Sequence, residues 1–365
     1  MPTTTYSAAG VDTDREEDAL KRLVKWIRPT WPAQRGSGHV ALDVGYFANV
    51  IDIGGIGIAI SADGVGTKVL IAQMMQKYDT VGIDCVAMNV NDLLCVGATP
   101  VSMVDYLALE DPDPHVVEAI AQGLAEGARQ AKISIPGGEM AQLRDIIKGY
   151  PGGLAFDLAG MAIGTVPLDK IIIGQDIREG DSIVGIESNG IHSNGLTLAR
   201  KVFFEERQQG QLTVDFTPPE WRCSLGAELL KPTYIYVQEV LEILKENIPV
   251  KALMHITSDG FLNLPRVASP VGYIIEELPP IPPIFSLIKE YSKIGNAEMF
   301  RVFNMGIGFC MIVPEQNVER TVAIVEAHHK KAYCIGHAVS DEQKRVYIKP
   351  YKLIGQGKQF WEVES

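Results

Sequence analysis

The chain has 365 residues, with 33 Lys and Arg against 45 Asp and Glu, so its formal net charge is −12. Hydrophobic residues make up 46% and charged residues 21%, which excludes a mainly disordered acidic chain and predicts two globular domains. No nucleic-acid or anionic-membrane partner is expected, because such partners are held by clustered Lys and Arg and the sequence has no basic run.

The cysteines and the apolar segments indicate the compartment. The five cysteines form no C-x-x-C pair, which argues against a disulfide framework or a zinc site and favours reduced thiols in the cytoplasm. No stretch reaches the ~18 apolar residues of a membrane span. The first 18 residues lack the basic start and apolar core of a secretory signal, so we expect none.

The first half begins with a predicted helix over residues 12–28, where Thr13 and Glu16 have the spacing of a capping box. A strand follows at about 50–60, then the glycine-rich turn 63–68 and a helical stretch to about Lys77. A strand that enters such a turn and opens a helix can present backbone N–H groups to phosphate. An Asp-Gly turn is also an ordinary end of a strand, so both interpretations stay open.

The next predicted helix, over residues 81–96, has one apolar face and one polar face. The polar face carries Asp84, Asn89, Asn91 and Asp92. Such a face most often points to solvent, although the carboxylate and amide groups together could also form a functional surface.

The remaining elements of the first half alternate between strand and helix. A strand at 101–107 contains Asp105, a helix runs from Pro114 to about Lys132, and a strand at 154–166 contains Asp157. A carboxylate among apolar strand residues needs a cation or a hydrogen-bond partner, and for Asp157 a structural hydrogen bond is favoured. The polar segment 167–182 predicts a domain boundary, which gives domains 1–166 and 167–365.

The second half repeats the order of strand, turn and helix. Its predicted elements are a strand at 183–187, a turn at 188–195, a helix at 196–207, a helical hairpin at 224–246, a strand at 250–257, a turn at 257–260 and a strand at 304–313. His192 in the first turn could bind an oxyanion or act as a general base, although a loop histidine is more often solvated.

Several motifs, taken in order along nearly the whole chain, carry a family resemblance. They are Tyr6-x-x-Ala9-Gly10-Val11-Asp12, Asp63-Gly64-Val65-Gly66-Thr67-Lys68, Ala87-Met88-Asn89-Val90-Asn91-Asp92, Gly137-Gly138-Glu139, Asp157-Leu158-Ala159-Gly160, and the segments 188–195, 231–237 and 299–308. In these motifs the chain closely resembles the phosphoribosylformylglycinamidine cyclo-ligases, also called aminoimidazole ribonucleotide synthetases.

The resemblance implies ATP-dependent ring closure of formylglycinamidine ribonucleotide in purine biosynthesis, with ATP and Mg²⁺ as cofactors. It implies Asp63, Lys68 and His192 as catalytic residues and Asp63, Asp92 and Asp259 as metal ligands. The implied nucleotide-binding residues are Gly64, Val65, Gly66, Thr67, Lys68, Asn89, Asp92, Gly138 and Glu139. The implied binding residues for the small, phosphorylated substrate are His192, Ser193, Asn194, Asn304 and Gly306.

The resemblance also implies the fold. It is an α+β fold of two domains with mixed sheets and helices, in which the amino-terminal strands form the interface of a homodimer. The amino-terminal domain would bind ATP and the metal.

Three departures from the family pattern leave the substrate open. They are Met140 to Arg144 after Gly-Gly-Glu, the Ser258-Asp259-Gly260 turn, and Thr13 to Glu16 after Gly-Val-Asp. The turn at 258–260 resembles that of two superfamily relatives, formylglycinamidine ribonucleotide synthetase and thiamine-monophosphate kinase. The alternatives to a cyclo-ligase are therefore a paralogous ATP-dependent phosphotransferase and, more remotely, an inactive nucleotide-binding scaffold.

Overall fold

The computed structural model describes residue 10 and residues 13–31, 36–149, 153–204 and 212–363. These residues form two mixed β-sheets with helices packed against them, so the predicted α+β fold is confirmed. Except for Gly10, the motif at residues 6–12 lies outside the described residues, as does the predicted end of a helix at 205–207.

The first sheet has six strands in the order β1-β2-β3-β6-β4-β5, and only the pair β4 and β5 is parallel. The single strand predicted at 50–60 is in fact two strands, because Gly54 and Gly55 take φ values of 65° and 94° and turn the chain. The strands are β1 (His39–Leu42), β2 (Asn49–Ile53), β3 (Ile56–Gly64), β4 (Thr99–Leu109), β5 (Gly138–Gln142) and β6 (Phe156–Pro167).

The helices of the first half agree closely with the pattern in the sequence. They are α1 (Thr13–Ile27), α2 (Lys68–Met75), α3 (Asp79–Leu94) and α4 (Pro114–Ala131). The carboxylate of Asp113 caps α4 by accepting from the main-chain N–H groups of His115 and Val116. Gly82 lets α3 approach α4, since a Cβ atom there would lie 2.2 Å from the main-chain nitrogen of Leu124.

The polar face of α3 is largely buried, whereas such a face most often points to solvent. Asp84, Asn89 and Asn91 are fully buried, because α3 lies between the first sheet and the second half of the chain. Asn91 donates to the main-chain oxygen of Tyr234 and accepts from the main-chain N–H of Tyr236. The polar groups of α3 therefore bind the two halves together.

The second sheet has eight strands in the order β14-β13-β12-β9-β11-β7-β10-β8, with only β12 and β9 parallel. The predicted helical hairpin consists of two helices joined by the non-helical residues 230–236. The strands are β7 (Ser182–Glu187), β8 (Ala252–His255), β9 (Val271–Ile275), β10 (Ile307–Val313), β11 (Ala332–Ser340), β12 (Val346–Ile348), β13 (Leu353–Gln356) and β14 (Gln359–Glu362). The helices are α5 (Leu196–Phe204), α6 (Leu225–Leu229), α7 (Val237–Lys245), α8 (Pro283–Ser292), α9 (Asn296–Val302) and α10 (Val318–Ala327).

One face of the first sheet packs on α3, and the opposite face is open and apolar. Burial alternates along β6, so that Leu158 and Ala162 face α3 while Met161 is exposed. We call the opposite side the open sheet face, and its large exposed side chains are Ile53, Ile56, Val104, Tyr106 and Met161. No helix in the described part of the chain has the length and apolar character needed to cross a membrane.

Candidate active site

A cavity of about 500 Å³ opens between the end of β3 and three segments of the second half, which are residues 193–197, residues 257–259 and the turn that contains Lys358. We call it the inter-sheet cavity. Its lining also includes Met88, Glu16 and Leu20 of α1, and Lys358 of the turn between β13 and β14. The predicted site residues that the structure brings together here are Asp63, Gly64, Val65, Gly66, Thr67, Ser193, Asn194 and Asp259.

Asp63 is the residue before the last of β3, and α3 fixes its main chain. Its N–H donates to the Asn89 side-chain oxygen at 3.0 Å, and its carbonyl accepts from the Asn89 amide at 3.1 Å. Burial, and then the nearby charge of Asp92, raises the pKa of Asp63 to about 6. Asn89 thus holds the main chain of Asp63, and its contact with a nucleotide stays a prediction.

Asp92 is held by His255, a residue that the sequence did not indicate. Nδ1 of His255 lies 2.9 Å from Oδ1 of Asp92. Nε2 lies 3.4 Å from the Asn91 side-chain nitrogen, which can only donate a hydrogen bond, so Nε2 is the acceptor. The ring proton therefore lies on Nδ1 and points at Asp92. The only local signal was one polar residue in the otherwise apolar strand Ala252–His255.

His192 lies behind the inter-sheet cavity, next to the lining residue Ser193. It has a φ of 60°, is 1% exposed, and neither ring nitrogen has a hydrogen-bond partner among the residues that the structure describes. Burial, together with the nearby charge of Lys68, lowers its pKa well below the usual value, so the ring is neutral. Residue 308 must be a glycine for the ring to fit, because a Cβ atom there would lie 2.6 Å from Cε1 of His192.

Lys68 does not reach the cavity, and its predicted place on the phosphates is not supported by the geometry. Its ammonium group is fully buried and lies 2.9 Å from the Asp84 carboxylate. It also donates to the main-chain oxygen of Lys231 at 2.6 Å. The reason is that α2 turns Lys68 inward, between α3 and the second half of the chain.

Asn304 and Gly306 do not line the inter-sheet cavity either, and both are held by hydrogen bonds within the protein. Asn304 is 3% exposed, donates to the main-chain oxygen of Gly190 and accepts from the hydroxyl of Ser188 and the N–H of Gly306. These bonds fix the beginning of the 188–195 loop. Both residues therefore support the 188–195 loop from the side away from the cavity.

Gly138 and Glu139 line a second cavity of about 490 Å³, between β5 and α4. Asp105 lies there too, half-buried, and burial raises its pKa. A Cβ atom at Gly138 would lie 2.4 Å from Oδ1 of Asp105, which explains the glycine. Asp157 is exposed, so it does not need the buried hydrogen bond that the sequence favoured.

Comparison with known proteins identifies the family. Residues 45–166 match the AIR synthase related protein N-terminal domain, and residues 178–349 match the corresponding C-terminal domain. The phosphoribosylformylglycinamidine cyclo-ligase of Methanobrevibacter smithii is 46% identical over 352 residues, which cover 95% of this chain and 98% of the relative. The enzyme of the same name from Thermococcus kodakarensis is 48% identical over 350 residues, covering 96% and 99%.

The chain belongs to the phosphoribosylformylglycinamidine cyclo-ligase family. The resemblance found in the sequence motifs is therefore confirmed, and with it the prediction of a ligase enzyme. Among solved structures, AaThiL complexed with AMPPCP and TMP covers 87% of this chain and 91% of its own, with a TM-score of 0.59 and 18% identity. Thiamine-monophosphate kinase from Stenotrophomonas maltophilia gives a TM-score of 0.60 at 19% identity, covering 85% and 91%. At such identities these likenesses show the fold alone.

The comparisons decide between the interpretations that the sequence left open. The likeness to phosphotransferases is one of fold, whereas the likeness to cyclo-ligases is one of sequence over nearly the full length. The departures at 140–144 and 258–260 thus occur within the cyclo-ligase family.

The residues around Asp63 fit a magnesium ion that arrives with a nucleotide. Such ions take one or two carboxylates and keep water and phosphate oxygens as their other ligands. Burial, and then the charge of Asp92, raises the pKa of Asp63, and a cation between the two carboxylates would stabilise their charged forms. In residues 13–31, 36–149, 153–204 and 212–363, no three His, Cys, Asp or Glu side chains are grouped to hold a metal by themselves.

Proposed function

We propose that this member of the cyclo-ligase family closes the imidazole ring of aminoimidazole ribonucleotide. The reaction consumes formylglycinamidine ribonucleotide and ATP and releases ADP and phosphate, in purine biosynthesis. The observation that carries the proposal is identity of 42–48% to cyclo-ligases, with the chain aligned over nearly its full length to most of them. The inter-sheet cavity, which gathers the β3 turn and the 193–197 loop, supports it.

In this proposal the β3 side of the cavity holds Mg-ATP. Asp63 and Asp92 hold the magnesium ion, with Asp259 on the opposite wall as a further candidate ligand. When bound there, the ion would supply positive charge against the phosphates during transfer. Gly64 and Gly66 carry no side chain, so the turn leaves room for phosphates. The N–H groups of Gly64 and Val65 already donate to the Asp63 carboxylate and the Leu158 carbonyl, so those of Gly66 and Thr67 would contact the phosphates.

The ribonucleotide lies at the 193–197 loop, with Ser193 and Asn194 as its contacts. In the family scheme the formamide oxygen is phosphorylated, and the amidine nitrogen then attacks that carbon and expels phosphate. The attacking nitrogen loses a proton as the ring closes. His192 is neutral and has unpartnered ring nitrogens, so it can accept that proton, directly or through a water molecule.

We further propose that the protein is a homodimer formed through the open sheet face. An exposed apolar surface of this extent on a sheet is typical of an association site. Glu139 faces the same side as Tyr106, its partner in the pairing of β5 with β4. Gly138 and Glu139 would then contribute to a nucleotide site from the interface, which keeps their predicted role.

The five cysteines have no disulfide partner, as expected in the cytoplasm, where we place the enzyme. The function is tested by purifying the chain and measuring ADP release in a coupled assay, with and without formylglycinamidine ribonucleotide. We expect release that depends on the ribonucleotide and on Mg²⁺, together with a new aminoimidazole product. Release that proceeds equally without the ribonucleotide would rule the proposal out.

A further inference from the structure

A buried chain of hydrogen bonds leads from Lys68 to the inter-sheet cavity. The Lys68 ammonium and the hydroxyl of Thr233 both donate to Oδ1 of Asp84, at 2.9 and 2.7 Å. The Thr233 hydroxyl oxygen lies 3.1 Å from the hydroxyl oxygen of Ser193, which lines the cavity. Lys68 and Asp84 are fully buried and Thr233 is 2% exposed, so water does not compete for these groups.

The direction of each hydrogen bond in this chain is fixed by elementary chemistry. A hydroxyl group has one hydrogen, and an ionised carboxylate oxygen can only accept. Because the Thr233 hydrogen goes to Asp84, the contact between Thr233 and Ser193 requires the hydrogen of Ser193. The Ser193 oxygen therefore has only its lone pairs left for the cavity.

We propose that Ser193 recognises a hydrogen-bond donor of the ribonucleotide, which is either a ribose hydroxyl or an amidine N–H group. A phosphate dianion offers only acceptors, so it is a poor partner for an oxygen oriented in this way. If Ser193 turned its hydrogen to a phosphate, the buried Thr233 oxygen would lose the donor it now has. The inference rests on the proposed function and deepens it, because it separates Ser193 from the groups that hold phosphate.

Lys68, Asp84 and Thr233 are positioning residues in this proposal. They contact no substrate, and they set the orientation of one hydroxyl group across the junction of the two halves. The substitution Thr233→Val removes the acceptor of the Ser193 hydrogen while keeping the shape of the side chain. Thr233→Ser keeps the hydroxyl and serves as the matched control.

The experiment compares wild type, Ser193→Ala, Thr233→Val and Thr233→Ser at pH 8, where phosphate monoesters are dianions. It measures KM for formylglycinamidine ribonucleotide and for ATP, and inhibition by ethyl phosphate and by ribose 5-phosphate against the ribonucleotide. For Ser193→Ala we expect an increase of about tenfold in the KM of the ribonucleotide, the loss of one buried hydrogen bond. The KM of ATP and the inhibition constant of ethyl phosphate should stay within about twofold of the wild-type values. Thr233→Val should raise the KM of the ribonucleotide as Ser193→Ala does, whereas Thr233→Ser should keep the wild-type KM.

Ribose 5-phosphate distinguishes the two possible donors. Weaker inhibition of Ser193→Ala by ribose 5-phosphate assigns a ribose hydroxyl, and unchanged inhibition assigns the amidine. The inference is overturned if Ser193→Ala leaves the KM of the ribonucleotide unchanged, or if inhibition by ethyl phosphate weakens in parallel with that KM. Either result with an active wild-type enzyme leaves the proposed function standing, whereas an inactive wild type would remove the function itself.

Discussion

The side-chain amide of Asn89 pairs with both main-chain groups of Asp63. Its oxygen accepts from the Asp63 N–H and its nitrogen donates to the Asp63 carbonyl, at 3.0 and 3.1 Å. The same nitrogen also donates to the main-chain oxygen of Cys85, one turn earlier in α3. The Asn89 amide thus satisfies both main-chain groups of Asp63, as a neighbouring strand would, and fixes the end of β3 on α3. The Asp63 side chain lines the inter-sheet cavity.

Replacing Asp63 by Asn should separate stability from activity. The folded-state pKa of Asp63 is raised from 3.8 to about 6, so the folded protein binds more protons than the unfolded chain between those values. Stability contributed by this group therefore falls as pH rises through that window, and above pH 6 the charged carboxylate costs about 3 kcal/mol. Asp63→Asn should recover that free energy at pH 8 while turnover falls at least about 100-fold, since the charge on the metal side is lost.

The measurement is urea unfolding at pH 5 and pH 8, combined with steady-state kinetics at pH 8. Asp169→Asn, at an exposed position, is the control and should change neither quantity. The interpretation of Asp63 as a carboxylate repelled by Asp92 fails if Asp63→Asn is less stable than wild type at pH 8. Unchanged turnover would place the cation elsewhere.

Much of the fold could be predicted because its signals are local. The periodicity of residues 81–96 predicts α3, which spans Asp79–Leu94, and Pro114 predicts the first turn of α4. The turn after β3 was recognisable because it combines a carboxylate with two glycines. No element was predicted after residue 313, where β12 to β14 have only three or four residues each and the pairing of β11 depends on strands distant in the sequence.

The missed parts of the site depend on contacts that no local pattern reports. A lysine beside a glycine-rich turn looks the same whether it meets phosphate or, as with Lys68, a buried Asp84. Likewise, nothing near His255 in the sequence points to Asp92, which lies 163 residues away along the chain. The polar face of α3 could be recognised, but whether it meets solvent or the second half depends on tertiary packing.

Lys68→Met should destabilise the protein, since it leaves the buried Asp84 without its cation. Breaking one partner of a buried ion pair typically costs about 3–5 kcal/mol, and here the pair also joins the two halves of the chain. We expect a loss of that size in urea unfolding at pH 7. Lys77→Met, which breaks an exposed pair with Asp79, should cost less than about 1 kcal/mol. If Lys68→Met is as stable as wild type and only its KM for ATP is raised, Lys68 contacts the ATP phosphates and the structural role is wrong.

Met161→Lys should dissociate the proposed dimer. The side chain stands on the open sheet face beside Val104, so a charge there would have to be buried in an interface formed by this face. Light scattering coupled to size-exclusion chromatography should show a dimer for wild type and a monomer for the variant at micromolar concentration. Glu319→Lys, on the exposed surface of α10, should remain dimeric. A monomeric wild-type protein, or a dimeric Met161→Lys protein, would contradict an interface on this face.

His192→Ala should affect ring closure more than ATP binding. The ring is neutral because burial lowers its pKa well below the usual value, so it can accept a proton throughout the range from pH 6 to 8. Removing it should lower kcat by about 100-fold while the KM of ATP changes little. The effect should also be independent of pH over this range, because the group has no charge to lose there. Gly308→Ala should mimic the defect, since its Cβ atom would lie 2.1 Å from the Tyr236 hydroxyl oxygen and 2.6 Å from the His192 ring. The assignment is refuted if His192→Ala raises the KM of ATP as much as it lowers kcat, or if its activity loss follows a titration near pH 6.5.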